Sequence, residues 1–399
     1  MSDHDNIELQ FDRAFDRNCY RIITRRLFRD PRPSTLTLDL ENVTYAYATA
    51  VVPLIALERH LRAQGTLVEV IYPFDHSYWE ITGWKQLLDG DDAPSIDPGR
   101  SYIPVQTYSD STHLNGIVSA VLDVLARHMV CSEGVLDSIA WTLNELADNV
   151  LVHAAEPGTP VEGFMQVVSH PEQRTVDLVV SDYGRGIRDS LWQSYITRDD
   201  EEALLKAIEA GVTRDPSAGQ GNGLAGSVRI VSTAGGQLTI MSGNAELDVE
   251  NGDSSTTQCG AVPGTTVSLV LPTDAEINVS QALWGKPPMV AFEMSHLDSD
   301  DEIVFRVTDE ASGFGNRETG RQLRTKLQNV MTQFPRSRVK VDFENVALVS
   351  ASFADEFIAK LVVELGNFSF FTRITVVNAN GLISQTLDNV IRQRSQPNG

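Results

Sequence analysis

Apolar and polar positions alternate along "TLTLDLENV" (35–43), then take a helical spacing through "VVPLIALERHLRAQG" (51–65). A β-rich run, "TLVEVIYP" (66–73), follows. Period two, then period 3.6, then period two predicts a βαβ unit. The same order returns near the other end, in "RVKVDFENVALVSASF" (338–353), "ADEFIAKLVVELGNF" (354–368) and "TRITVVNA" (372–379). Each leading strand ends in Asp (Asp39, Asp342), followed by apolar-Glu-Asn-Val and a small-residue stretch. The chain is therefore read as carrying a repeated α/β module at its two ends.

A third unit lies between "DGDDAPSIDPGRS" (89–101) and "PTDAEINVSQALWGKPPM" (272–289), both rich in turn and breaker residues. Helical spacing is predicted over 112–129 and through "LNELADNVLVHA" (143–154). Two strands, "EGFMQVVSH" (162–170) and "TVDLVVSD" (175–182), are joined at "PEQR". A helix at 200–211, a Gly-rich tail, a helix at 224–233 and strands at 236–243 and 265–272 complete the unit. The polar run between those last strands, 244–264, is expected to be a mobile insertion. Helices followed by successive strands predict an α+β sandwich with helices on one sheet face. The expected domains are 1–100, 101–275 and 290–399.

With 399 residues, 42% of them hydrophobic and 22% charged, the chain is long enough for two or three cored domains. Acidic residues outnumber basic ones 54 to 32, and the net charge of −22 argues against a nucleic-acid partner. The most basic run, "RNCYRIITRRLFRD" (17–30), is read as the exposed side of a helix. The acidic N-terminus is unlike a secretory signal, and "VTYAYATAVVPLIAL" (43–57) is too short to span a bilayer. Cys19, Cys131 and Cys259 lack metal-ligand spacing and read as reduced thiols. Together these predict a cytoplasmic protein with no membrane partner.

Glu145 and Asn149 sit four residues apart on the otherwise apolar helix 143–154, so both point the same way. Paired polar groups on a buried face demand a purpose, because burial of unpaired polar groups is costly. Three later stretches supply one: "SDYGRGI" (181–187), "AGQGNGLAGSVRIV" (218–231) and "PGTTVSLVLP" (263–272). Asp182 ends a strand and precedes Gly184 and Gly186. Gly219, Gly221 and Gly223 open a helix, and Thr265 starts the last strand. Asp182 can accept from an adenine amino group, and Gly221 and Gly223 can expose backbone N–H groups to phosphate. Asn149 offers a neutral oxygen to Mg²⁺, and Glu145 can orient or deprotonate a nucleophile.

Glu-x-x-x-Asn, Asp-x-Gly-x-Gly, Gly-x-Gly and Gly-Thr in this order resemble the GHKL ATPase superfamily over about residues 110–272. That group includes type II topoisomerases, Hsp90, MutL, and the histidine and anti-sigma-factor kinases. The resemblance implies a Bergerat-type ATP site in an α/β sandwich, ATP and Mg²⁺ as cofactors, and Thr265 assisting Asp182. Plainer readings stand beside it. Asp182 can cap a turn, Thr265 can be an ordinary strand residue, and Asp148 and His153 read as structural or solvent groups. Arg185 and Arg214 read as solvated. No lysine stands where ATP-gated members reach the γ-phosphate, which argues against vigorous hydrolysis.

The C-terminal repeat resembles STAS-like domains, the fold of anti-sigma-factor antagonists, and the N-terminal repeat shares its pattern. Counting from Asp342, the antagonists' phosphorylatable serine falls on Ser352, although Phe353 replaces their following glycine; the same count from Asp39 reaches Thr49. The plainer reading of Ser352, which is preferred, is the N-cap of "FADEF", with Asp355 as its box partner. These resemblances imply a bacterial ATP-Mg²⁺-dependent regulator, either a Ser/Thr kinase of partner-switching type or a slow ATPase or ATP-gated switch. Protein partners would bind through the STAS-like domains, and a homodimer is left open.

Overall fold

The computed structural model describes residues 6–29, 33–154, 162–192, 194–212, 223–277, 279, 302–335 and 337–395. The N-terminal module runs β1 (Asn6–Phe15), α1 (Arg17–Arg29), β2 (Thr35–Ala46), α2 (Ala48–Ala63) and β3 (Leu67–Ile71). Its sheet is parallel, with β2 central. Two short helices follow, α3 (Ser77–Ile81) and α4 (Trp84–Asp89), and Trp84 is fully buried.

The middle unit opens with β4 (Gln106–Tyr108) and α5 (Ser111–His128), whose first turn is capped by Asp110 accepting from the His113 N–H at 2.8 Å. Then comes α6 (Val135–Asn149), which runs into a π-helical turn at Val150–Ala154. Strands β5 (Gly163–His170) and β6 (Thr175–Ser181) precede the short helices α7 (Gly186–Leu191) and α8 (Asp200–Ala207). Helix α9 (Gly223–Ala234), β7 (Gln237–Glu250) and β8 (Asp253–Pro272) close the unit. The sheet order is β4-β5-β6-β8-β7, antiparallel throughout.

The expected mobile insertion is instead ordered: β7 and β8 pair as far as Glu250 and Asp253. Asn251 and Gly252 turn the hairpin at φ 53° and 85°, the left-handed pair that a two-residue hairpin with Asn-Gly favours. The ribbon is held because Ala245, Leu247 and Val249 bury one of its faces. The alternating pattern was present in "AELDVENGD", but the polar residues outweighed it.

Both faces of this sheet are covered. Met165, Val167, Leu178, Val180, Ile240 and Val267 join α5 and α6 in one core. Phe164, Val179, Met241 and Val262 point the other way, into a second core shared with the N-terminal module. Helix α1 is therefore not a solvated basic face. Arg17 donates to Thr239 at 2.6 Å and to Asp248 at 3.1 Å, and Arg21 forms a two-armed pair with Glu246, whose side chain is fully buried. The arginines were misread because their acidic partners lie more than two hundred residues away in sequence.

The C-terminal module contains β9 (Ile303–Arg306), α10 (Val307–Glu310), α11 (Arg317–Gln333) and β10 (Val339–Asp342). It continues through α12 (Ala351–Ala354), a π-helical turn at Asp355–Ala359, and α13 (Lys360–Leu365). Then come α14 (Asn367–Arg373), β11 (Ile374–Val377) and α15 (Gly381–Ser395). Its parallel sheet places β10 centrally, as β2 is placed in the first module. The shared Asp does the same local job twice: Asp39 accepts from the Glu41 N–H at 3.0 Å, and Asp342 accepts from the Glu344 N–H at 2.9 Å. Helix α11 lies along α5. Lys326 bridges Asp123 and Glu310 at 2.6 Å each, and Arg127 pairs with both acids. Asn329 satisfies the last carbonyls of that helix region, donating to the Ala126 and Met129 oxygens at 2.8 and 2.7 Å.

Glu246 holds the N-terminal module against the sheet through a carboxylate with no access to water. Glu246→Ala should lower stability by about 2–3 kcal/mol in urea unfolding, because two arginines lose a charged acceptor. A Glu246→Ala chain unfolding at the wild-type urea midpoint would show that the pairs contribute nothing to docking.

Candidate functional site

The cleft forms where α6, the end of β6 and the start of α9 converge. Glu145 and Asn149 are half-buried on the same side of α6, while Asp148 beside them is exposed. Gly223, the first residue of α9, faces them so closely that a Cβ there would stand 2.6 Å from Glu145 Oε2 and 3.4 Å from Asn149 Nδ2. The first turn of α9 thus comes down directly onto the Glu-Asn pair. Ser227 locks that turn by donating to the Gly223 carbonyl at 2.9 Å. Burial, with the charge of Asp148 second, raises the Glu145 carboxyl above its ordinary range.

At the other end of the cleft Asp182 is buried. Its backbone N–H donates to the Thr265 carbonyl at 2.9 Å, and its Oδ1 accepts from the Gly184 N–H at 2.7 Å. Burial pushes its carboxyl up to about 7, against the pull of backbone hydrogen bonds from Gly184 and Thr265. Gly264, at φ 72°, brings its Cα against the Asp182 backbone and carboxylate, which leaves no room for a side chain. Gly184 packs on Ala154 at the end of the π-helical turn, and the Arg185 N–H donates to the Ala154 carbonyl at 3.0 Å. The segment after Asp182 is thereby tied to the helix that carries Glu145.

Gly186 lies against Ser242, a buried residue that the sequence reading passed over. Ser242 Oγ accepts from the Ile187 N–H at 3.0 Å, donates to the Gly264 carbonyl at 2.9 Å and lies 3.2 Å from Thr265 Oγ1. One hydroxyl so joins the Gly184–Gly186 loop to the Gly264–Thr265 turn. Nothing in "TIMSG" marks it, because its role follows from its pairing opposite Thr265.

Arg185 departs from its expected solvated state: its Nε and Nη2 are shut off from solvent and have no hydrogen-bond partner among the described residues. His153 lies within the π-helical turn. Gly219, Gly221 and Arg214 fall outside the described residues. Ser352 is not the helix cap. Ser350 takes that place, accepting from the Phe353 N–H at 3.0 Å, and Ser352 Oγ lies 3.0 Å from Ser350 Oγ. Asp355, the expected box partner, pairs with Arg394 and Arg317 instead. Helix α12 packs on α11, and α11 packs on α5.

A helix-covered antiparallel sheet with Glu-Asn on a floor helix, a buried acid at a strand end and glycines at each close approach defines an ATP-binding domain of GHKL type. Residues 134–275 match the family described as histidine kinase-, DNA gyrase B-, and HSP90-like ATPase, and residues 319–383 match a STAS-like domain of unknown function. The chain thus carries a GHKL ATPase domain with a STAS-like module after it. No curated protein matches the chain. Among the described residues, no helix is long and apolar enough to cross a membrane.

The residues fit a nucleotide on structural grounds. Gly223 and Gly264 permit close backbone approaches that a Cβ would block, and the buried Asp182 carboxylate is held by the backbone N–H groups of Gly184 and Thr265. Gly223→Ala should therefore weaken ATP binding at least about 10-fold by titration calorimetry, with the unfolding temperature little changed. An alanine chain that binds ATP like wild type would sink this view of the cleft.

Asp182 sets a pH signature. Its native value of about 7 lies above its unfolded one, so the folded chain holds an extra proton between about pH 4 and 7. Stability from this group is greatest in acid and is lost as pH rises through 7, whereas its strength as an acceptor grows over the same range. ATP affinity should rise from pH 6 to pH 8 in wild type by more than in Asp182→Asn, measured by calorimetry at both values. Equal pH dependence in the two would remove Asp182 from nucleobase contact.

Proposed function

We propose that this chain is an ATP-Mg²⁺-dependent signalling regulator of the anti-sigma-factor Ser/Thr kinase type, acting in a partner-switching pathway. The observation that carries the reading is Glu145: a half-buried carboxylate of raised pKa, one turn from Asn149 and against the first residue of α9. Burial raises its pKa, so it takes up a proton more readily than a solvated glutamate. Asp182 receives the adenine amino group, with Thr265 beside it. Gly184 and Gly186 let the backbone lie close to the base. The α9 N-terminus, with Gly223 and the preceding Gly221, holds phosphate oxygens through backbone N–H groups. Asn149 Oδ1 serves Mg²⁺, an ion that takes few protein ligands and completes its shell with phosphate oxygens and water.

ATP with Mg²⁺ supplies the transferable phosphoryl group. Glu145 orients the acceptor hydroxyl and takes its proton as that oxygen attacks. Transfer between copies is the expected route, because Ser352 belongs to α12, which packs on α11 of the C-terminal module. A second reading, an ATP-gated interaction switch without transfer to protein, draws on a separate observation. Both end modules dock on the ATPase unit through buried ion pairs, Glu246 with Arg21 on one side and Lys326 with Asp123 and Glu310 on the other. Protein partners would meet the surfaces that this docking leaves free.

Intact mass of the full chain after incubation with Mg-ATP separates the readings. The kinase outcome is one added phosphoryl group, absent in Glu145→Ala, forming faster at higher protein concentration because donor and acceptor belong to different copies. Its loss in Ser352→Ala would name the acceptor. An unchanged mass, with α5 and α11 altering their amide exchange on ATP addition, is the switch outcome. ATP binding with neither effect would defeat both.

A further inference from the structure

At the end of β4 stands Tyr108, a residue that no motif covers. It pairs directly with Gly163 of β5, and its side chain lies on the helix-covered face of the sheet. A Cβ on Gly163 would overlap the tyrosine ring and its hydroxyl, so the ring lies across the glycine towards the next strand. That strand is β6. Phe164 pairs with Ser181, which places Asp182 across from Gly163 one position further on. Ser181 pairs with Thr266, and Ser242 with Thr265, so one row crosses the sheet as Tyr108, Gly163, Asp182, Thr265 and Ser242. Directly opposed residues point to one face, which here is the face of the nucleotide cleft.

Tyr108 is 1% exposed, and its hydroxyl has no hydrogen-bond partner among the described residues. A buried hydroxyl without a partner is a standing cost that phenylalanine would avoid, so its presence calls for something that arrives later. Burial first, then the charges of Asp182 and Asp148, raise the pKa of the phenol, so the hydroxyl keeps its proton and can donate.

We propose that the Tyr108 hydroxyl donates a hydrogen bond to N1 of the bound adenine, beside the exocyclic amino group received by Asp182. The two side chains then read adjacent positions on one edge of the base: Asp182 accepts from the amino group, and Tyr108 donates to the ring nitrogen. Guanine presents the reverse order there, a carbonyl oxygen and an N–H, which sets its O6 against the Asp182 carboxylate and leaves the Tyr108 proton without an acceptor. The selectivity of the pocket is built across three strands, with Gly163 as the gap that lets an edge-strand side chain reach the base. This assignment rests on the ATP-site reading above.

The test uses the full chain and its Tyr108→Phe variant with ATP and with 1-deaza-ATP, in which a C–H replaces N1. Calorimetry should show wild type binding ATP about 10-fold more tightly than the deaza analogue. Tyr108→Phe should bind the two alike, at the weaker level. Without nucleotide the variant should unfold at or above the wild-type temperature, because no bond is lost. Preference for ATP retained in Tyr108→Phe would overturn the assignment, as would equal binding of the two nucleotides by wild type. An unliganded variant destabilised by several degrees would overturn it too, marking the hydroxyl as a partner of buried water. Wild type that binds neither nucleotide would instead overturn the ATP-site reading itself.

Discussion

A five-stranded antiparallel sheet that must be apolar on both faces is the constraint from which the rest of this structure follows. Such a sheet usually keeps one face wet. Here Phe164, Val179, Met241 and Val262 remove that freedom, and the N-terminal module covers the surface they create. The opposite face is spent on α5, α6 and α9. The candidate site gathers where α6, the end of β6 and the start of α9 meet, with Asp182 buried and Glu145 and Asn149 half-buried.

The site depends on close approach more than on any cluster of charge. Gly223 lets α9 reach Glu145, Gly184 lets the loop reach Ala154, and Gly264 lets the last strand reach Asp182. Ser242 ties two of these elements together. Burial leaves Glu145 and Asp182 less acidic than solvated carboxylates. Ion pairs fix how the modules sit at the two docking interfaces, through Glu246 on one side and Lys326 on the other.

Much of this was legible in the sequence because chemistry restricts residue type. Glu-x-x-x-Asn on an apolar helix and Asp-x-Gly-x-Gly at a strand end leave few alternatives, and the Asp-x-Glu-Asn-Val echo located the repeated module. What escaped was pairing. "GFMQVVSH" and "DLVVS" carry adjacent apolar residues, a sign of a strand buried on both sides, but the partner on the second side lies far away in sequence. The roles of Ser242 and Tyr108 come from strand register, and no local pattern reports register. The Asn251-Gly252 turn was legible and was outweighed by the polar residues around it. Ser350 takes the cap from Ser352 because the helix begins one residue before Ser352.

The rear core also governs the order in which the chain can be completed. Residues 6–71 contain a whole βαβαβ module whose strand pairings are local, whereas Arg17 meets Asp248 across a sequence separation of 231. Local structure forms early, and contacts of such long range come late because loop closure must precede them. Until β7 and β8 are in place, α1 has no surface to dock on. Until the N-terminal module docks, Phe164, Val179 and Met241 face water. The molecule therefore passes through a stage in which a large apolar sheet face is bare and strand edges are unpaired, the condition that most invites aggregation. A central domain cut free of its first hundred residues would be held permanently at that stage, so the N-terminal module acts as a built-in solubilising cover for the ATPase.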